Sequence, residues 1–229
     1  KKRFCTKNVS YICRMKNEQK EKSCELIGTC LGLFMKFGIK SLTMDDISKK
    51  LGISKKTLYQ FVSDKKDLVF KGMTLCLEEE RAVLEKVSLN SENAIDELIG
   101  FSRFVNSRLG DLHPSVMYDI QKYHPDSWAI MQDHKQDFIR NSILENTKRG
   151  IKERVYRENL NPEIVTSLYM LMMEGFFESE ENFGRDVKLE ELHLEMIRYH
   201  VRGVANEKGI TLLKESLNKK ENNHLKLDQ

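Results

Sequence analysis

Residues Thr43 to Leu68 read T-M-D-D-I-S-K-K-L-G-I-S-K-K-T-L-Y-Q-F-V-S-D-K-K-D-L, and this stretch decides the fold. Thr43 is a natural N-cap, and Asp46 stands three residues on, where a capping-box acid belongs. The helix so opened runs to about Leu51, with Ile47 and Leu51 four apart on one face. Gly52 supplies the left-handed residue that ends a helix, and Ile53 turns back to the core. Ser54 then caps a second helix whose expected buried pair is Leu58 and Phe61. Lys55, Lys56, Thr57, Tyr59 and Gln60 are left on its outer side. Cations and hydroxyls suit phosphates, and an amide suits a base edge, so the pattern is a helix-turn-helix with a DNA-facing surface.

Phe34, Gly38, Thr43, Ile47, Leu51, Gly52, Ile53, Ser54, Thr57, Leu58, Tyr59, Phe61, Ser63, Lys65 and Leu68 together resemble the DNA-binding segment of the tetracycline-repressor (TetR) family of bacterial transcription regulators. Lys56 departs from that pattern, in which a small residue is more usual. The resemblance implies an all-α fold: a three-helix N-terminal head on a larger helical body that binds a ligand and dimerises. It also implies a repressor that leaves its operator when ligand binds the body. Residues 43–65 carry the implied DNA site. Lys55 and Gln60 are candidates for base contacts, and Thr43, Thr57, Tyr59 and Lys65 for phosphates, with Ser54 and Lys56 completing the set.

Charge is unevenly spread along the chain. The net charge is only +3, yet residues 1–75 hold 17 Lys and Arg against 7 Asp and Glu, a balance of +10, and the remainder carries −7. A basic head on an acidic body suits a polyanion-binding module joined to a partner or ligand module. Cys5, Cys13, Cys24, Cys30 and Cys76 form no C-x-x-C pair, and no run approaches the length of a membrane helix. Reduced thiols in a cytoplasmic protein are the simplest account.

Residues 1–15 form a basic leader, expected to be disordered or an upstream extension before Met15. The other reading is an arm reaching into a minor groove. Helical spacing of Ile27, Cys30, Leu31, Phe34 and Phe37 predicts a first helix closed by Gly38, with Gly28 and Gly32 easing close packing. The head is expected over 16–72 and the body over 73–210, with a polar, loose tail over 211–229. Within the body, helices are predicted on either side of a break at Ser88–Ser91. A short helix follows over Ser115–Tyr123, and another opens at Pro125 and extends to about Arg149. The polar run from Gly150 to Leu160 reads as a linker or a frayed turn. Asn161-Pro162-Glu163 is a strong start for a helix to about Phe183, and Asp186 starts the last long one, expected to run to about Lys208.

The helix from Asn161 is apolar on more than one face, so it and the last helix are expected to form a four-helix interface between two copies. Met117, Tyr118, Trp128, Met131, Tyr169, Met172 and Phe176 are candidates to line a cavity for a mostly apolar small effector, although most residues of this kind at helical spacing are simply core. Glu174, set among apolar residues, is paired, on a dimer rim, or in that cavity. His193 and His200, seven apart, lack metal-site partners at the right spacing and read as structural. Nothing in the sequence has the pattern of a catalytic or cofactor motif, so neither enzyme activity, cofactor nor metal is expected. Two other functions stay open: an activator or ligand-independent architectural DNA binder, and a helical ligand-binding protein whose head no longer binds DNA.

Overall fold

The computed structural model describes residues 17–110, 112–178 and 188–224, and among these it is helical without a β-strand. The helices are α1 (Asn17–Phe37), α2 (Met44–Lys50), α3 (Lys55–Leu58), α4 (Lys65–Asn90), α5 (Ala94–Leu109), α6 (Ser115–Tyr123), α7 (Pro125–His134), α8 (Arg140–Lys152), α9 (Pro162–Glu178), α10 (Leu189–Val204) and α11 (Glu207–His224). A π turn, Lys135–Ile139, joins α7 to α8. Two compact units result. One runs to Glu78 and includes His113–Ile130; the other holds Glu79–Leu112 and the chain from Met131 on.

In the first unit, Ile27, Cys30, Leu31 and Phe34 of α1 are buried with Ile39, Ile47, Leu58, Leu68 and Val69. Gly38 ends α1 at φ +83°, a backbone state that costs other residues but not glycine. Any Cβ there would also press on Ser115 Oγ at 2.9 Å. That close approach seats α6 beside the end of α1. His113 N donates to Met35 O at 2.6 Å, and Lys40 N donates to the buried Asp119 carboxylate at 2.9 Å. Gly28 and Gly32 are not packing contacts, for both are exposed and nothing lies within 4 Å of the space their Cβ atoms would fill.

The second unit has an apolar core around Ile95, Leu98, Phe101, Ile143, Tyr169, Met170, Ile197 and Val201. A buried polar clasp runs through it. Arg149 Nε donates to Glu153 at 2.6 Å, its Nη1 reaches Glu97 at 3.3 Å, and its Nη2 donates to Ser91 O at 2.8 Å. Asn146 donates to Ala94 O and to Glu97, both at 2.9 Å, and accepts from the Tyr156 hydroxyl at 2.8 Å. Burial of Glu97 is therefore matched by a cation and an amide, the condition under which a carboxylate survives in an interior. The clasp ties the turn between α4 and α5 to α8.

Three expectations give way to the structure. Residues 150–160 are not a loose linker: α8 continues to Lys152, and Val155 and Tyr156 are buried to 1% exposure. Tyr156 lies over Gly150 so closely that a Cβ would sit 2.1 Å from its ring, and its backbone bridges to Ala205. The tail expected to be loose over 211–229 is helical as far as His224, in α11. The long helix expected from Asp186 is two, because Ala205 is extended and Asn206 caps α11 by accepting from Gly209 N at 3.0 Å. Residues 1–16, Asp111, 179–187 and 225–229, and so the leader, the predicted end at Phe183 and the predicted start at Asp186, lie outside the described residues.

Candidate nucleic-acid interface

The turn that positions the interface is built by short-range bonds. Thr43 Oγ1 accepts from Asp46 N at 3.2 Å, and Asp46 Oδ2 accepts from Thr43 N at 2.9 Å, a complete capping box. The Thr43 hydroxyl, which donates to Asp46 Oδ2 at 2.6 Å, and then the Thr43 amide hold the Asp46 carboxyl below the usual carboxylate range. Gly52 turns the chain at φ +66°, and Ile53 N reaches back to Ser48 O at 3.1 Å. Ser54 Oγ accepts from Thr57 N at 3.0 Å and starts α3. This helix is shorter than its sequence suggests. Past Leu58 the bonds tighten to three-residue spacing, Gln60 N to Thr57 O and Phe61 N to Leu58 O. The tightening moves the buried position on by one, so Val62 is 3% exposed and Phe61 only half-buried.

The predicted DNA-facing residues fall together on this motif. Thr43, Ser54, Lys55, Lys56, Tyr59 and Gln60 are exposed, while Leu58 behind them is fully buried. Thr43 and Ser54 spend their hydroxyls as caps, and Thr57 Oγ1 lies 2.8 Å from Ser54 Oγ. Lys65 is half-buried. Its ammonium donates to Leu42 O at 2.6 Å and lies 5.8 Å from the centre of the Phe34 ring, and burial lowers its pKa. Sequence reasoning missed one feature: Lys55 forms an ion pair with Asp45 of α2. The two are ten apart, a spacing no helical periodicity flags.

The candidate effector-lining residues are divided between the units. Met117 and Trp128 are half-buried in the first, where Tyr118 is 54% exposed and its hydroxyl takes a bond from Lys122 at 2.5 Å. Met131 is half-buried in the second, where Tyr169 is core and Met172 packs on that core. The side chain of Phe176 is outside the described residues. Glu174 is paired, accepting from Lys135 at 2.8 Å. His193 and His200 both turn into the core, where burial pushes their pKa values down to about 4. The His200 and Tyr169 rings pack edge to face, with their centroids 5.0 Å apart. No group of three or more potential metal-binding side chains occurs among the described residues, and no described helix is long and apolar enough to cross a membrane.

Comparison with known proteins agrees with this geometry. Residues 27–71 match the family model described as bacterial regulatory proteins, tetR family. An uncharacterized HTH-type transcriptional regulator of Bacillus subtilis, YvaF, is 27% identical over 145 residues, 61% of this chain and 73% of that protein. A TetR-family regulator from Agrobacterium tumefaciens superimposes with a TM-score of 0.65 at 15% identity, covering 81% of this chain and 99% of its own. A putative regulator from Saccharomonospora viridis, solved in complex with choline, gives 0.63 at 16% identity over 82% and 100%. With a capped helix-turn-helix, a match to the tetR family over residues 27–71 and a helical fold shared with TetR-family structures, this protein is a DNA-binding transcription regulator similar to that family.

Proposed function

We propose that the protein is an effector-released repressor that binds a pseudo-palindromic operator as a homodimer. The observation that carries this reading is the face of α3, where Lys55, Lys56, Tyr59 and Gln60 stand exposed over the buried Leu58. Lys55 and Gln60 read base edges in the major groove. Lys56, Thr57, Tyr59 and Lys65 fix the register on phosphates, while Thr43 and Ser54 hold the starts of the two helices that present them. Lys65 gives one of its three donors to Leu42 O and keeps two for the backbone. The DNA-binding function is assigned to residues 16–72, and effector binding and dimerisation to 73–210.

Assembly is supported by apolar surface that one chain leaves uncovered. Ile164, Leu168 and Leu171 recur on one face of α9 at 56–62% exposure, and Leu194 and Tyr199 of α10 are exposed as well. Two copies joined through α9 and α10 make a four-helix interface, presenting two α3 helices to half-sites ~34 Å or more apart. Tyr169, Met172 and neighbouring side chains suit a mostly apolar effector. It must prefer the head spacing that does not fit DNA by about 1–3 kcal/mol. The Saccharomonospora viridis protein, solved in complex with choline, is a precedent for a small molecule held on this fold. A protein acting in this way works in the cytoplasm, where its operator is.

Selection of bound duplexes from a random pool is expected to return a two-fold symmetric site. Sedimentation at micromolar concentration is expected to give a dimer. A selected site without symmetry, or a monomer at that concentration, removes the dimeric reading. A thermal-shift screen followed by operator binding tests the effector: a compound that stabilises the protein yet leaves operator affinity unchanged is not one.

A further inference from the structure

Lys55 stands in the first turn of α3, on the face assigned to DNA, yet its ammonium already has a partner. It pairs with Asp45, in the first turn of α2, and the two side chains are 55% and 46% exposed. The pair therefore bridges the two helices of the motif at the surface a duplex would approach. The neighbouring acid, Asp46, is committed to the Thr43 cap. Lys56, next in sequence to Lys55, is exposed and has no ion pair among the described residues. One face thus carries two adjacent lysines in different states, one already neutralised and one not.

Binding to arbitrary DNA is driven by cations that displace counterions from phosphates, each adding about 0.9 to the salt slope. A lysine with an internal counter-ion contributes less to that term, because the pair must open first. Lys55 is assigned to base edges, where a guanine with two acceptors in a fixed place offsets that opening, whereas an edge without such a pair of acceptors leaves the lysine with Asp45. From this geometry we propose that Asp45 is a selectivity residue: it withholds Lys55 from non-operator DNA and yields it to a guanine in each operator half-site. The proposal rests on the assignment of the α3 face to DNA.

The test measures affinity and salt slope on the operator recovered by selection and on a scrambled duplex of equal length. The proteins are full-length wild type, Asp45→Asn, Lys55→Met, the double variant, Lys56→Met and Gln60→Ala. Asp45→Asn is expected to tighten scrambled DNA about two- to fivefold at low salt, the range one exposed ion pair spans. The slope steepens by up to about 0.9 and the operator-to-scrambled ratio falls. In the Lys55→Met background the same substitution should do nothing. An equal gain in both backgrounds overturns the proposal, since it would be plain repulsion of DNA by Asp45. An unchanged ratio, or weaker binding to both duplexes with a lower melting temperature, overturns it too, the latter marking a structural pair. If Lys56→Met and Gln60→Ala are also silent on both duplexes, the DNA-face assignment has failed. If they act while Asp45→Asn is silent, only the counter-ion role has failed.

Discussion

Two surfaces of this chain face solvent on opposite terms. The outer side of α3 carries Lys55, held by Asp45, beside Lys56, Tyr59 and Gln60, whose polar ends are satisfied by water until something better arrives. The outer side of α9 is made of Ile164, Leu168 and Leu171, which water does not satisfy at all. Both occur on helices whose inner sides are core, with Leu58 at 0% exposure in the one and Tyr169 at 5% in the other. The difference names two classes of partner: a polyanion for the first surface and another protein surface for the second.

Charging the apolar surface should change the molecule most. Leu168→Glu with Leu171→Glu is expected to give a monomer in sedimentation. Operator affinity then falls by roughly 10²–10⁴, because the second head no longer binds at high effective concentration. The melting temperature of that monomer, extrapolated to low wild-type concentration, should be little altered. A dimer that survives both charges would show the stripe to be incidental.

Acid should act on the region beneath the apolar surface. His193 and His200 share α10 with the exposed Leu194 and Tyr199, but burial holds both pKa values at about 4, against about 6.5 for a free imidazole. The unfolded chain takes up protons near pH 6.5 and the folded unit resists until about 4. Stability is therefore fully present above 6.5 and drains away as the pH falls to 4, by roughly 3 kcal/mol per imidazole at most. Urea unfolding at pH 7, 5.5 and 4 measures this, and His193→Phe with His200→Phe should flatten the profile.

On the polar surface the expected effects are smaller and of two kinds. Gln60→Ala should relax preference at one base pair by about 1–3 kcal/mol in a repeated selection. Lys65→Ala should weaken every sequence alike and lower the salt slope by about one at most. If Gln60→Ala acted uniformly and Lys65→Ala selectively, the roles of the two residues would have to be exchanged.

What could be read in the sequence was local. The Thr43–Asp46 capping box, the glycines at 38 and 52 and the Asn161-Pro162 helix start each depend on residues within a few positions. All appear in the structure where the chain places them. The same holds for α6, bounded by Pro114 and by the turn at His124. The rest depends on distant partners. Asp119 accepts from the Lys40 amide 79 residues away, and Asn146 from helix α8 binds Ala94 O across 52. Neither carboxylate nor amide has a periodicity that announces this. Within the interface, the sequence named the exposed lysines but not the Asp45 that engages one of them. The shift of burial from Phe61 to Val62 follows from a tightened turn that helical spacing does not anticipate.

The Tyr156 ring rests where a side chain on Gly150 would have to go, and Gly209 likewise meets Val155 O at 2.2 Å from its absent Cβ. These positions are therefore not independent characters in descent. A lineage that enlarges Gly150 must first shrink Tyr156 and strand the Asn146 amide oxygen that its hydroxyl satisfies. The segment that looks most like a spacer should thus keep its length and its glycines among relatives while the charged residues around it drift.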